Sequence, residues 1–128
     1  MSLKRVVITG IGTINPLGNN IQEYFYSLDK GVSGASPIER FDATRFKTRF
    51  ACQVKDFNPK NFGIDRKESR KLDKYSLFAL IATDEAIKDS ALDLDSIDKE
   101  RVGVILGTGI GGIETLCDEF KDYSVGDG

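Results

Sequence analysis

The strongest constraint on how this chain folds lies in residues 4–18, KRVVITGIGTINPLG, where a strand-like run breaks into glycines. Val6, Val7 and Ile8 are consecutive and β-branched, a pattern suited to a short strand covered on both faces. Such a strand needs one layer above it and another below, so the expected class is α/β. Gly10 and Gly12 supply backbone freedom directly after it, and Pro16 and Gly18 mark a turn. The 128 residues suffice for one domain with a core, and a net charge of −2 gives no overall attraction to nucleic acid or membrane. No apolar run approaches the roughly 20 residues of a membrane-spanning helix. Residues 6–8 are too short for the apolar part of a secretory leader, and a cytoplasmic location is expected.

Helical spacing of Ile21, Tyr24, Phe25 and Leu28 predicts a helix over 21–30, with Asn20 as N-cap, Glu23 in capping-box position and Gly31 just past its end. Residues 31–37 have loop composition. Residues 45–50, RFKTRF, alternate imperfectly between cation and aromatic and predict an extended segment paired with residues 51–54. After a break at Asn58-Pro59, one long helix is expected over 66–90, with Asp65 and Glu68 as a second capping box. Residues 77–83 are apolar nearly all round, which predicts burial on most sides, and Ala79, Ala82 and Ala86 leave room for a neighbouring helix. The acidic connector 91–99 lacks the glycine and terminal glutamate of a calcium loop. A second strand is expected at 102–106, a helix at 113–123 and a frayed end at SVGDG. Strand, excursion, helix, strand and helix together predict a right-handed crossover set.

Residues 107–112, GTGIGG, satisfy G-x-G-x-x-G between a strand and a helix, which makes a dinucleotide-binding domain one reading. Against it, the pattern sits on the second strand rather than the first. The acidic residue expected about 20 positions later would also fall beyond Gly128. Lys67, Arg70, Lys71 and Lys74 fall at i, i+3, i+4 and i+7, one face of the expected long helix. Residues 65–74 carry net +2 in a chain of net −2, and cations in a first helical turn oppose the helix dipole. An acidic partner explains that arrangement; a solvated helix face is the plainer alternative. Arg40, Arg45, Lys47 and Arg49 interleave with Phe41, Phe46 and Phe50, but net −2 disfavours nucleic acid, and packing of the phenylalanines in a core or dimer face is expected instead. Cys52 and Cys117 are expected to be structural thiols, at least partly buried. There is no histidine in the chain.

Four collinear segments carry a family resemblance: VVITGIGTINPLGN, RFDATRFKTRFACQVKDFN, DRKESRKLDKYS and VGVILGTGIGG. Together they resemble the β-ketoacyl-[acyl carrier protein] synthases, in particular the type II elongating enzymes of fatty-acid synthesis. The resemblance implies a thiolase-like fold, complete only in a chain several times longer, of which residues 1–128 match the N-terminal part of the first half. It implies transfer of an acyl group from acyl carrier protein to a cysteine. Decarboxylation of malonyl-carrier protein then gives a carbanion, whose attack on the thioester lengthens the chain by two carbons. No redox cofactor and no metal is implied. The implied partners are acyl carrier protein, malonyl and acyl thioesters and a second copy of the full-length protein.

The resemblance also carries two roles onto residues of this sequence. Ile110, the one large side chain among the glycines of 107–112, corresponds to a residue that gates the depth of the acyl pocket; a plain core isoleucine is the alternative. Lys67, Arg70 and Lys71 correspond to residues that dock the carrier protein, with Arg66 and Lys74 left out of that set. No catalytic residue is assigned. The family's nucleophile is a cysteine between small residues at a tight strand-to-helix turn, assisted by two histidines. Neither cysteine here has that context, so the 128 residues alone are expected to be inactive. A non-catalytic relative resembling a chain-length factor is the remaining alternative.

Overall fold

Helix α1, Ile21–Asp29, begins where the sequence predicts, because Asn20 accepts a hydrogen bond from the Glu23 N–H (2.8 Å). The Glu23 carboxylate reaches back one residue beyond the expected capping box, to the Asn19 N–H (2.7 Å). Gly31, at φ +63°, leaves the helix in the left-handed region that favours glycine. The computed structural model describes residues 3–126. They form two units, one made of residues up to 57 with Ile81–Leu92, the other of Asn58–Leu80 with the residues from 93 onward.

In the first unit, β1 (Ala35–Pro37) pairs antiparallel with β2 (Phe50–Cys52), in the register Ala35↔Cys52, Ser36↔Ala51 and Pro37↔Phe50. Two expectations are corrected here. Residues 35–37 are strand rather than loop, and the partner of residues 51–52 is this segment rather than 45–50. The reason is a turn at residues 42–46: the Thr44 N–H donates to Asp42 Oδ1 (3.0 Å) and the Phe46 N–H to the Ala43 carbonyl (3.0 Å). The Thr44 donors also hold the exposed Asp42 carboxyl below its ordinary pKa. Phe41 and Phe46 stack edge to face, yet both remain exposed with Phe50, so they are not core residues of this unit.

The glycine segment lies against the last turns of helix α3 (Lys74–Asp89). A Cβ on Gly10 would overlap the Ala86 carbonyl oxygen, and one on Gly12 the Ala82 carbonyl oxygen. Ala82 and Ala86 thus admit glycine backbone rather than the neighbouring helix expected of them. Carboxylates of α3 take up the backbone donors. Asp89 accepts from the Ile11 N–H (2.9 Å), and Glu85 accepts from Thr13 N–H (2.9 Å) and Ile21 N–H (2.8 Å). The last of these places a negative charge at the N-terminus of α1, where the helix dipole favours it. Glu85→Gln keeps one acceptor but turns an amide donor toward a second N–H. A loss of about 1.5–3 kcal/mol is expected, seen as a lower denaturant midpoint with faster amide exchange at Thr13 and Ile21. An unchanged midpoint would show that water replaces the lost bond.

Residues 4–9 form no regular element and pair with no strand among the described residues, and Ile8 is 82 % exposed. In the second unit, residues 102–106 likewise form no strand and are unpaired among the described residues, with Ile105 100 % exposed. Neither expected strand is therefore formed, and the described sheet is two-stranded and antiparallel rather than a crossover set. A strand is defined by donors and acceptors on a neighbour, which local β-branched composition cannot supply. Buried apolar residues among those described are Ala43 and, one turn apart on α3, Leu77 (4 %) and Ile81 (6 %), while Leu80 of the same helix is exposed. Burial of α3 on most sides is thus not observed.

The second unit also contains a 3-10 turn, Pro59–Phe62, capped by Asn58 and closed by Gly63 at φ +78°. It also holds one-turn helix α2 (Arg66–Ser69), the start of α3, a 3-10 turn at Lys99–Arg101 and helix α4 (Ile113–Val125). The end expected to fray is helical through Val125 and closes on Gly126 at φ +85°; the last two residues of SVGDG lie outside those described.

Candidate functional site

The expected helix over 66–90 is broken, and the break builds the site. Asp65 caps α2 as predicted, with Oδ1 accepting from the Glu68 N–H (2.7 Å). The chain then leaves the helix at Arg70, and Lys71 N–H closes a turn on the Glu68 carbonyl (3.0 Å). Asp73 restarts the helix, its carbonyl accepting from the Leu77 N–H (3.0 Å). Because this carbonyl begins α3, the Asp73 carboxylate is free to point elsewhere, and it accepts from the Thr115 hydroxyl in the first turn of α4.

This break corrects the single cationic face. Lys67 lies on α2, Arg70 and Lys71 lie on the turn, and Lys74 lies on α3. Lys74 is turned to Glu114, Nζ to Oε2 3.2 Å. Lys67 stands in the last turn of α2, so the expected conflict with a helix dipole falls away as an argument. Lys67, Arg70 and Lys71 are all exposed, and none forms an ion pair with a carboxylate among the described residues. A compact cationic turn without local neutralisation remains.

Asp73, Lys74 and Tyr75 all meet the glycine turn of 107–112 or the start of α4. Lys74 pairs with Glu114, the Tyr75 ring lies 3.9 Å from where a Cβ on Gly111 would be, and a Cβ on Gly112 would overlap the Asp73 carboxylate. Gly111 takes φ +73° and donates its N–H to Thr108 Oγ1 (3.0 Å). Ile110 projects from this turn and is 76 % exposed among the described residues. The turn holds no open anion cradle: no side chain caps Gly112, and the Asp73 carboxylate occupies the N-terminal end of α4 where a pyrophosphate would lie. The dinucleotide alternative therefore loses its site.

Cys52 sits in β2 and Cys117 in the middle of α4, and both are exposed, which corrects the expectation of burial. Neither is at a strand-to-helix turn. Cys52 edges a cavity of about 540 Å³ in the first unit, lined also by Gly12, Thr13, Asn15, Leu17 and Tyr24. That cavity contains neither Ile110 nor any of the three cations. Sequence reasoning missed Asp73: its S/T/D/N-before-helix signal was hidden because the helix was expected to run through it. No helix among the described residues is long and apolar enough to cross a membrane.

Comparison with known proteins adds the following. Residues 3–126 match the family model for the β-ketoacyl synthase N-terminal domain. A 3-oxoacyl-[acyl-carrier-protein] synthase 2 of Synechocystis sp. is 44 % identical over 116 residues, covering 91 % of this chain and 28 % of the relative. The chain thus spans little more than a quarter of that relative's length. The structure of the ishigamide ketosynthase/chain length factor superposes with a TM-score of 0.79 at 30 % identity, covering 94 % of this chain and 30 % of the other. A type II PKS acyl-carrier protein in complex with its ketosynthase bound to the hexaketide superposes at 0.74 with 29 % identity, covering 98 % and 32 %.

Proposed function

The chain belongs to the β-ketoacyl synthase family, in its N-terminal domain, and from that premise we propose that it serves as the amino-terminal part of a 3-oxoacyl-[acyl carrier protein] synthase with a thiolase-like fold. In the complete enzyme, an acyl thioester of the carrier protein passes its acyl group to a cysteine thiol. Malonyl-carrier protein loses carbon dioxide, and the resulting carbanion displaces the cysteine to give 3-oxoacyl-carrier protein. The carrying observation is 44 % identity to a synthase over 91 % of the chain. The 128 residues supply no nucleophile in the right setting and no histidine. Their contribution is carrier docking at Lys67, Arg70 and Lys71 and control of the acyl pocket at Ile110. The working unit proposed is a cytoplasmic homodimer of the complete chain.

Docking rests on the three exposed cations, which present positive charge to an acidic carrier. In the complete enzyme, Arg70→Glu with Lys71→Glu is expected to raise KM for carrier-bound primers roughly tenfold or more while leaving primers on free pantetheine unchanged. The parent's KM for the carrier should rise with salt, because exposed charges are screened. Equal kinetics on carrier-bound primers would remove the docking role. Condensation itself is tested by expressing the complete reading frame and following carbon dioxide release with 3-oxoacyl product. Absence of condensation with carrier binding intact would instead favour a chain-length-factor-like partner, since the similar ishigamide structure is that of a ketosynthase/chain length factor.

A further inference from the structure

Three consecutive residues after the cationic turn, Asp73, Lys74 and Tyr75, meet residues 111–115. Of these links, the Asp73 carboxylate makes the most specific one. It accepts from the Thr115 hydroxyl, and it lies so close to Gly112 that any side chain there would displace it. The Lys74–Glu114 pair is exposed at both ends and contributes little by itself. Gly109, Gly111 and Gly112 surround Ile110 with residues that restrict the backbone least. The placement of Ile110 must then come from contacts that fasten the turn rather than from its own backbone preferences. Two fasteners are present: the Gly111 N–H to Thr108 Oγ1 bond inside it, and Asp73 at its exit into α4.

We propose that Asp73 is a positioning residue that sets where Ile110 stands, by clamping the exit of the 107–112 turn through Thr115 and Gly112. This inference rests on the reading of Ile110 as the acyl-pocket gate. It assigns the gate a support on the same stretch of chain that carries Arg70 and Lys71, three and two residues earlier. Asp73 touches no substrate. Its effect is confined to primer-length preference and passes through Ile110.

The test is a double-mutant cycle in the complete enzyme, reading kcat/KM for a short and a long acyl primer on free pantetheine, which does not use the docking cations. Asp73→Ala is expected to change the long-to-short ratio about fivefold or more. Asp73→Asn keeps an oxygen for the Thr115 hydroxyl and should restore the ratio to within about twofold of the parent. In an Ile110→Gly background, Asp73→Ala should leave the ratio unchanged, since coupled residues are non-additive. If Asp73→Ala and Asp73→Asn both lower all primers equally, or if the Asp73→Ala effect persists without the Ile110 side chain, the positioning role is overturned while the gate stands. If Ile110→Gly alone leaves the ratio at the parent value, the gate reading fails and the proposal fails with it.

Discussion

Ile110→Phe in the complete enzyme is expected to lower the use of long acyl primers by roughly 5- to 150-fold while sparing short ones. The physical case starts from the turn. Ile110 is exposed, flanked by glycines and set in a backbone with φ +73° at the next residue. A larger ring at this position is accommodated by the 128 residues themselves, so their stability should hardly change. Under the gate reading, the same ring meets the acyl chain instead. Overpacking a site that must take up a long alkyl chain costs about 1–3 kcal/mol, which corresponds to roughly 5- to 150-fold in kcat/KM for long primers. Primers too short to reach the ring should stay within about threefold of the parent. A chain-length series of kcat/KM values reads this directly. A uniform loss at every length, or an unchanged profile, would remove Ile110 from the pocket.

Gly12→Ala is expected to cost the first unit about 3 kcal/mol or more, large for a single added methyl group. The methyl would be forced onto the Ala82 carbonyl oxygen of α3, with the Ala86 nitrogen 2.8 Å away. Backbone atoms of a helix cannot swing aside as a flexible side chain does, so the segment itself must lift. Lifting it also pulls the Thr13 N–H from Glu85 and the Ile11 N–H from Asp89. The measurement is the denaturant midpoint of the complete protein, compared with the parent. Adding Ala82→Gly should give no rescue, because the clash is with the carbonyl oxygen and not with the Ala82 methyl. A midpoint within about 0.5 kcal/mol of the parent would show that the glycine segment is not held against α3 in solution.

Much of the local punctuation was legible. Asn20, Asp65 and Asn58-Pro59 start or break elements where their side-chain chemistry says they should, since capping oxygens act within three residues. The start of α4 at Ile113 was legible from the glycines before it, since no side chain caps this helix. The family was legible as well, because four collinear segments carried it across nearly the whole chain, and residues 3–126 match its model. Lys67, Arg70, Lys71 and Ile110 were identified as candidates through the family resemblance. Their exposure required the folded chain.

Gly10 and Gly12 show where local reading stops. They were expected to serve dihedral freedom, yet neither has a positive φ; their lack of a Cβ serves a close approach to α3 instead. The same limit separates the helix expected over 66–90 from the observed α2 and α3. Periodicity favours one continuous helix, whereas Asp73 gains a partner in Thr115, 42 positions away, only if the helix breaks before it. Residues 4–9 and 102–106 have strand composition but no ladder among the described residues, because a ladder depends on neighbours. Element identity, caps and family thus follow from interactions spanning three or four residues, which the order of side chains specifies directly. The grip of Glu85 on Thr13, the clamp of Asp73 on α4 and the open face of Ile110 depend on contacts between distant segments, and those are set only when the backbone has been brought together.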